Sequence, residues 1–184
     1  MQYERLAIIQ QQKRSFLEGT IEYIHDEWVF FAEEEMFLLE EFYEREIYID
    51  HDRIKGILME PNRVLTDHGE YILTGNEWIK IRKTLPYALE ALIDELSNDA
   101  FFVFVNQLNR LNFSLYDALY CYNQFMFQEL APKEGVNFMI FDNGINICAV
   151  QHVYSYGEKL HDRFEFTLNT NQRLIVQNDW SYPS

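Results

Sequence analysis

Basic residues are scarce in this chain. Fifteen Lys and Arg stand against 30 Asp and Glu, a formal charge of −15 over 184 residues. Phosphate backbones are gripped by Lys and Arg, so this balance argues against nucleic acid as a partner. It argues equally against docking on an anionic membrane. Cysteine is nearly missing as well. Cys121 and Cys148 are the only two, with no CxxC and no disulfide framework, and they read as small core residues of a reducing compartment. The 7 glycines are scattered and form no P-loop and no GxGxxG phosphate cradle. There is no GxSxG nucleophile motif. The longest apolar run, 100–105, is far too short to span a bilayer. The opening MQYERLAIIQQQKR lacks the basic-then-apolar order of a signal peptide. The expected location is the cytoplasm, and no cofactor is expected.

Aromatic residues are plentiful, with 15 Phe and 12 Tyr. Their spacing changes period twice. From Phe16 to Arg82 short alternating runs are separated by turn residues, which predicts a string of antiparallel strands. From Pro86 to Leu111 the apolar residues recur at helical spacing, in two helices around Ser97-Asn98-Asp99. From Asn137 onward alternation returns, with Asp142-Asn143-Gly144 as the strongest hairpin signal. Residues 178–184 read as a loose tail. The fold class expected is α+β: an N-terminal small antiparallel β-barrel or curled sheet, a central helical layer and a C-terminal antiparallel sheet. The domain reading is a β-rich subdomain over 1–84 with a short leading helix, then a helical and antiparallel-sheet subdomain over 85–184.

The stretch 114–130 reads as the helix at the centre of that layer. Leu115, Ala118, Leu119, Tyr122, Phe125 and Met126 make one stripe at helical spacing. Tyr116, Tyr120 and Phe127 make a second, read either as core or as an exposed interface. Ser114 and Asp117 stand at capping-box spacing for its start.

Four of the five histidines have an aspartate beside them, at His25-Asp26, His51-Asp52, Asp67-His68 and His161-Asp162. Imidazole with carboxylate is metal-ligand chemistry. Three of the pairs fall on predicted hairpin turns, however, where Asp is favoured because it bonds the local backbone. Neighbouring strand residues also point to opposite faces. Solvated turns are therefore the expectation. Asp50, His51 and Asp52, the densest cluster, are the candidate metal ligands of the alternative reading. His152 stands alone and reads as a satisfied sheet histidine. The acidic run Glu33-Glu34-Glu35 resembles a protein-binding face or a solvated loop.

The line GTIEYIHDEWVFFAEEEMFLL, and the order of β, helical and β segments after it, resembles an uncharacterised bacterial protein family. The resemblance covers most of the chain. It implies a small cytosolic protein of spore-forming Gram-positive bacteria and brings no catalytic residues with it.

Function is not specified by any motif. The reading carried forward is a non-enzymatic, acidic interaction or regulatory protein, with a basic protein partner or a homodimer as occupant. Glu33, Glu34, Glu35, Tyr116, Tyr120 and Phe127 are its candidate contact residues. The alternative is a small enzyme or a ligand- or metal-binding protein with a cleft between the β-subdomain and the helices.

Overall fold

The computed structural model describes residues 2–32, 35–51, 53–128, 132–157 and 159–181, with residue 2 and 178–181 as backbone alone. The chain is α+β and divides into two compact units, 15–83 and a second made of 1–14 with 84–184.

The first unit is all β apart from one 3-10 turn, Leu39–Phe42. Its strands are β1 (Phe16–Ile24), β2 (Glu27–Ala32), β3 (Glu35–Leu38), β4 (Glu46–Ile49), β5 (Ile54–Met59), β6 (Arg63–Thr66), β7 (Gly69–Ile72) and β8 (Trp78–Arg82). They form one antiparallel sheet in the order β3-β2-β1-β8-β4-β5-β6-β7. Two meanders are thus joined through β8, which pairs with β1 on one side and β4 on the other. The sheet stays open, with β3 and β7 at its edges, so the expected barrel does not close. Alternation did set the inner face. Ile21, Phe30, Ile47, Leu58, Val64 and Ile79 are buried in one cluster, while Glu18, Glu22, Lys55 and Arg63 on the same strands point outward.

Two hairpins explain why His and Asp recur side by side. His25 and Asp26 both have positive φ, as do Asp50 and His51. Tight hairpins require that conformation at both central residues, and Asp, Asn and His tolerate it better than bulkier side chains do. At these two hairpins the His and Asp residues serve turn chemistry, whereas His161 and Asp162 lie within the strand Lys159–Leu168.

In the second unit α1 (Gln2–Gln10), α2 (Tyr87–Glu95) and α3 (Asn98–Arg110) accompany a five-stranded antiparallel sheet, β13-β12-β11-β10-β9. Its strands are β9 (Ala118–Tyr122), β10 (Lys133–Asp142), β11 (Ile147–Tyr156), β12 (Lys159–Leu168) and β13 (Arg173–Ser181). The last strand therefore continues past the point where a loose tail was expected. Leu89, Leu92, Phe101, Phe104 and Leu108 of the helices share one buried cluster with Phe141, Val150, Phe164 and Phe166 of the sheet. Phe104 stacks on Phe164 with ring centroids 5.2 Å apart. The Ser97 hydroxyl accepts the Ala100 N–H at 3.2 Å and caps α3. Arg5 of α1 donates to the Ile93 and Leu96 carbonyls at 3.1 and 2.7 Å, closing the C-terminal end of α2.

The stretch expected as the central helix is not one. Leu115–Asp117 is a single 3-10 turn, Ala118–Tyr122 is β9, and Gln124–Phe127 is a second 3-10 turn. The capping box at its start is real but serves only that first turn. Asp117 Oδ2 accepts the Ser114 N–H at 2.7 Å, and the Ser114 hydroxyl accepts the Tyr116 N–H at 3.1 Å. Arg14 then pairs with Asp117 at 2.5 Å and holds it. A segment apolar nearly all the way round offers no single period, so the free edge of β10 decided the outcome. Tyr122, Cys121 and Tyr120 pair with Phe138, Met139 and Ile140, and a bulge absorbs Leu119 before Ala118 meets Phe141.

Gly19 marks the tightest approach in the first unit. A Cβ there would lie 1.7 Å from the Phe31 carbonyl oxygen on the neighbouring strand, so only glycine fits. Gly19→Ala is expected to destabilise the protein by about 3 kcal/mol or more, because backbone and not a movable side chain must give way. Urea denaturation of the variant beside the native chain checks this.

Candidate functional site

Two features of the second unit stand out once the strands are in register: an exposed aromatic face and a buried polar chain. Both are built on β10 and β11.

Alternation sends Cys121, Met139, Cys148 and Val150 toward the helices, and Tyr120, Tyr122, Phe138 and Ile140 to the opposite, outer face. There Tyr120 opposes Ile140 and Tyr122 opposes Phe138. Tyr120 is 52% exposed and Phe138 43%. Ile147 extends the patch along β11. Phe127, 72% exposed, stacks on Tyr122 at 6.2 Å. Charge borders this face on β10, at Glu134 and Asp142 beyond either end of Phe138 and Ile140, and on the far strands, where Glu165 accepts from Arg163 at 3.1 Å and also pairs with Arg173. Half-exposed aromatic and isoleucine side chains of this number amount to several hundred Å² of apolar surface, at or above the largest patch of an ordinary monomer.

Of the residues read from sequence as contact points, Tyr120 and Phe127 lie in this patch. Tyr116 is half-buried in the first 3-10 turn. Glu35 starts β3 in the other unit, and Glu33 and Glu34 fall outside the described residues. Tyr122, Phe138 and Ile140 were missed as surface residues. Their signal was the plain alternation of β10, which becomes a surface signal only when 118–122 is recognised as its partner strand.

The candidate metal ligands do not come together. Asp50 and His51 sit exposed on the β4–β5 hairpin, where Asp50 binds Arg53 at 3.1 Å. Asp52 lies outside the described residues. Among the described residues no three His, Cys, Asp or Glu side chains are grouped to hold a metal ion. Both cysteines are free thiols, and burial pushes Cys121 up to about 12 and Cys148 up to about 11. Neither is a thiolate near neutral pH.

A group of cations does gather in the first unit, on the outer side of β8, β4 and β5. Lys80 lies over the Phe16 and Tyr48 rings at 5.2 and 5.6 Å. Arg82 reaches Glu46 at 3.1 Å and Lys55 reaches it at 3.5 Å. Burial opposes ionisation of Glu46, but bonds from Tyr48 and Arg82 and the nearby Arg82 and Lys55 charges outweigh it and hold the carboxyl below its usual range. The cluster is an internally paired ladder.

The buried polar chain lies on the inner face. His152 and Asp162 are both fully buried. His152 Nε2 is 2.8 Å from Asp162 Oδ1, and the Tyr156 hydroxyl donates to the same oxygen at 2.6 Å. Asn137 Nδ2 lies 3.2 Å from His152 Nδ1. The backbone N–H of Gln124 donates to Asn137 Oδ1 at 2.7 Å. This last bond fixes every proton in the chain. A backbone N–H can only donate, so the Asn137 oxygen faces Gln124 and its NH2 faces His152. His152 Nδ1 must then accept, which leaves the ring proton on Nε2, aimed at Asp162. The imidazole also stacks on Phe164 at 4.3 Å. Sequence reading joined Asp162 to its neighbour His161; the bond that forms runs across the sheet to His152, ten residues back.

Residues 3–178 match a family described as "Protein of unknown function (DUF2777)". The chain belongs to that family. It is 35% identical over 105 residues to "Uncharacterized protein YisN" of Bacillus subtilis (strain 168), a match covering 56% of this chain and 54% of that protein. The chain thus spans about half the length of this relative. No solved structure matches it. The resemblance to an uncharacterised family of spore-forming bacteria is thereby borne out.

Burial lowers the His152 pKa from its ordinary 6.5, against the upward pull of the Asp162 bond and charge. The unfolded chain takes up a proton near 6.5 and the folded chain only at lower pH. The stability contributed by neutral His152 is therefore full above 6.5 and is lost as the pH falls below it. Thermal unfolding followed from about pH 7 to about pH 5 should show a falling midpoint in the native chain and a flatter profile in His152→Gln, whose amide can accept from Asn137 and donate to Asp162.

Proposed function

We propose that this family member is a non-enzymatic interaction protein, and that a second copy of the chain covers the outer face of its five-stranded sheet. The observation that carries the reading is the cluster of Tyr120, Tyr122, Phe127, Phe138, Ile140 and Ile147, exposed together within a border of charges from Glu134 and Asp142 on β10 and from Arg163, Glu165 and Arg173 on the far strands. Homodimer interfaces have this anatomy, an apolar and aromatic centre within a charged border. A two-fold contact also asks only that a patch match itself. A standard interface buries about 800 Å² per partner, and a patch of several hundred Å² with its rim supplies most of that.

The other occupant is a basic protein. It suits the overall charge of −15 but fits this face less well, because Arg163 and Arg173 already line the rim. Two free, unactivated thiols support a reducing, cytoplasmic setting.

Light scattering on size-exclusion fractions should give twice the chain mass, falling toward one chain on dilution. Tyr120→Ser with Phe138→Ser should weaken association by about tenfold or more, since aromatic anchors dominate such contacts. The variant should still unfold cooperatively as a folded monomer, with a midpoint that no longer depends on protein concentration. A native chain that stays monomeric at every concentration overturns the homodimer.

A further inference from the structure

The buried chain ends on the segment that carries Phe127. Gln124–Phe127 is a 3-10 turn laid against the start of β10, capped by Asn123, whose side chain accepts the Phe125 N–H at 3.0 Å and donates to the Ala88 carbonyl at 3.2 Å. The Gln124 N–H goes to Asn137. The Gln124 side-chain oxygen accepts from the Val136 N–H at 2.8 Å. Gln128 donates to the Glu134 carbonyl at 2.7 Å and accepts from the Tyr154 hydroxyl at 3.0 Å. Phe125 is the turn's one fully inserted side chain, 4.1 Å from Tyr154 ring to ring. Gly135 makes room for the arrangement, since a Cβ there would meet the Gln124 amide at 2.1 Å.

The proton assignments leave no neutral escape for a second proton on His152. A proton on Nδ1 would put an N–H against the Asn137 NH2 group. Turning the Asn137 amide over satisfies the ring, but it brings the NH2 against the Gln124 N–H. Either way one donor faces another, and the turned arrangement moves the fault to the first backbone N–H of the turn. The other ionisable groups around the ring do not absorb the change. Asp162 is already engaged by Nε2 and by Tyr156. Tyr154 is committed to Gln128. Glu95 and Lys133, which lie toward Tyr156, pair with each other at 2.9 Å. His161 on β12 adds only a repulsive charge if it too is protonated.

We propose that Asn137 is a proton-sensing relay, coupling protonation of His152 to release of the turn Gln124–Phe127 from β10. The uncommitted oxygen of the sensor is Asp162 Oδ2, which is buried and has no hydrogen-bond partner among the described residues. The carboxylate therefore leans on Nε2–H and Tyr156 and keeps the ring in place while Nδ1 changes state. Phe127, stacked on Tyr122, leaves the outer patch when the turn lets go. The release itself rests on the hydrogen-bond chain alone; its consequence for association rests on the reading proposed above.

Imidazole nitrogen shifts by NMR, together with hydrogen exchange of the Gln124 and Val136 amides, test this on the full chain. Near pH 7.5 His152 should be neutral with its proton on Nε2. On its protonation at lower pH, the protection of both amides, corrected for intrinsic rates, should fall by roughly five- to tenfold, the value of one lost hydrogen bond. Asn137→Asp supplies an acceptor to both neighbours, so it should raise the His152 titration and abolish the fall in protection. An Nδ1–H tautomer, a ring that stays neutral wherever the chain is folded, or protection that ignores the titration would each overturn the relay. These readouts need no dimer. A monomer with responsive amides would sink the association while leaving the relay standing.

Discussion

Asp162 is a carboxylate with no access to water, and the C-terminal unit is arranged around satisfying it. A charge so placed is tolerated only when hydrogen bonds replace its hydration. Both donors come from β11, two residues to either side of its opposite number, since Tyr154 faces Asp162 across the ladder and His152 and Tyr156 flank it. The strand register is thereby tied to chemistry as well as to the apolar pattern. A slip of one residue would carry Asp162 to the outer face and leave His152 without its acceptor. From His152 the requirement passes through Asn137 to the backbone of Gln124. It thus reaches a segment that no hydrophobic pattern alone would place.

That dependence explains what could and could not be read from the residues. The strand-rich halves and α2 and α3 followed from alternation and helical spacing, which are local signals. The turn at Asp142-Asn143-Gly144 was legible for the same reason: the Gly144 N–H bonds Asp142 two residues away, at 2.8 Å. The barrel closure was not legible, because whether β3 meets β7 depends on contacts more than thirty residues apart in sequence. The segment 114–130 failed for a different cause. Its aromatic residues satisfy several periods at once, and the free edge of β10 was invisible before the sheet was built. Of the buried chain only His152 could be singled out. Its partners come from β10, β12 and a turn, at separations that leave no motif.

The surplus of Phe and Tyr also resolves into two populations. Phe104, Phe141, Phe164 and Phe166 fill the layer between helices and sheet. Tyr120 and Tyr122 of β9, Phe138 of β10 and Phe127 of the adjoining 3-10 turn do not. Cross-strand pairing of these aromatic side chains stabilises the sheet only modestly, while much of their surface stays in water. The usual solvent side of an antiparallel sheet is polar, as that of β12 is here with Arg163, Glu165 and Thr167. The concentration of apolar side chains on β9 and β10 is what the homodimer proposal rests on.

The high negative charge and the apolar face are compatible demands. Two chains of this charge repel at long range, but that repulsion is screened within about 8–10 Å at ordinary ionic strength. Burial of apolar surface is not screened and scales with the area removed from water. Salt should therefore favour contact through this face, whereas it would weaken a contact between acidic loops and a basic partner. The sign of the salt dependence separates the two occupants on physical grounds alone. Arg163 and Arg173, each held to Glu165, reduce the local repulsion at the edge of this face.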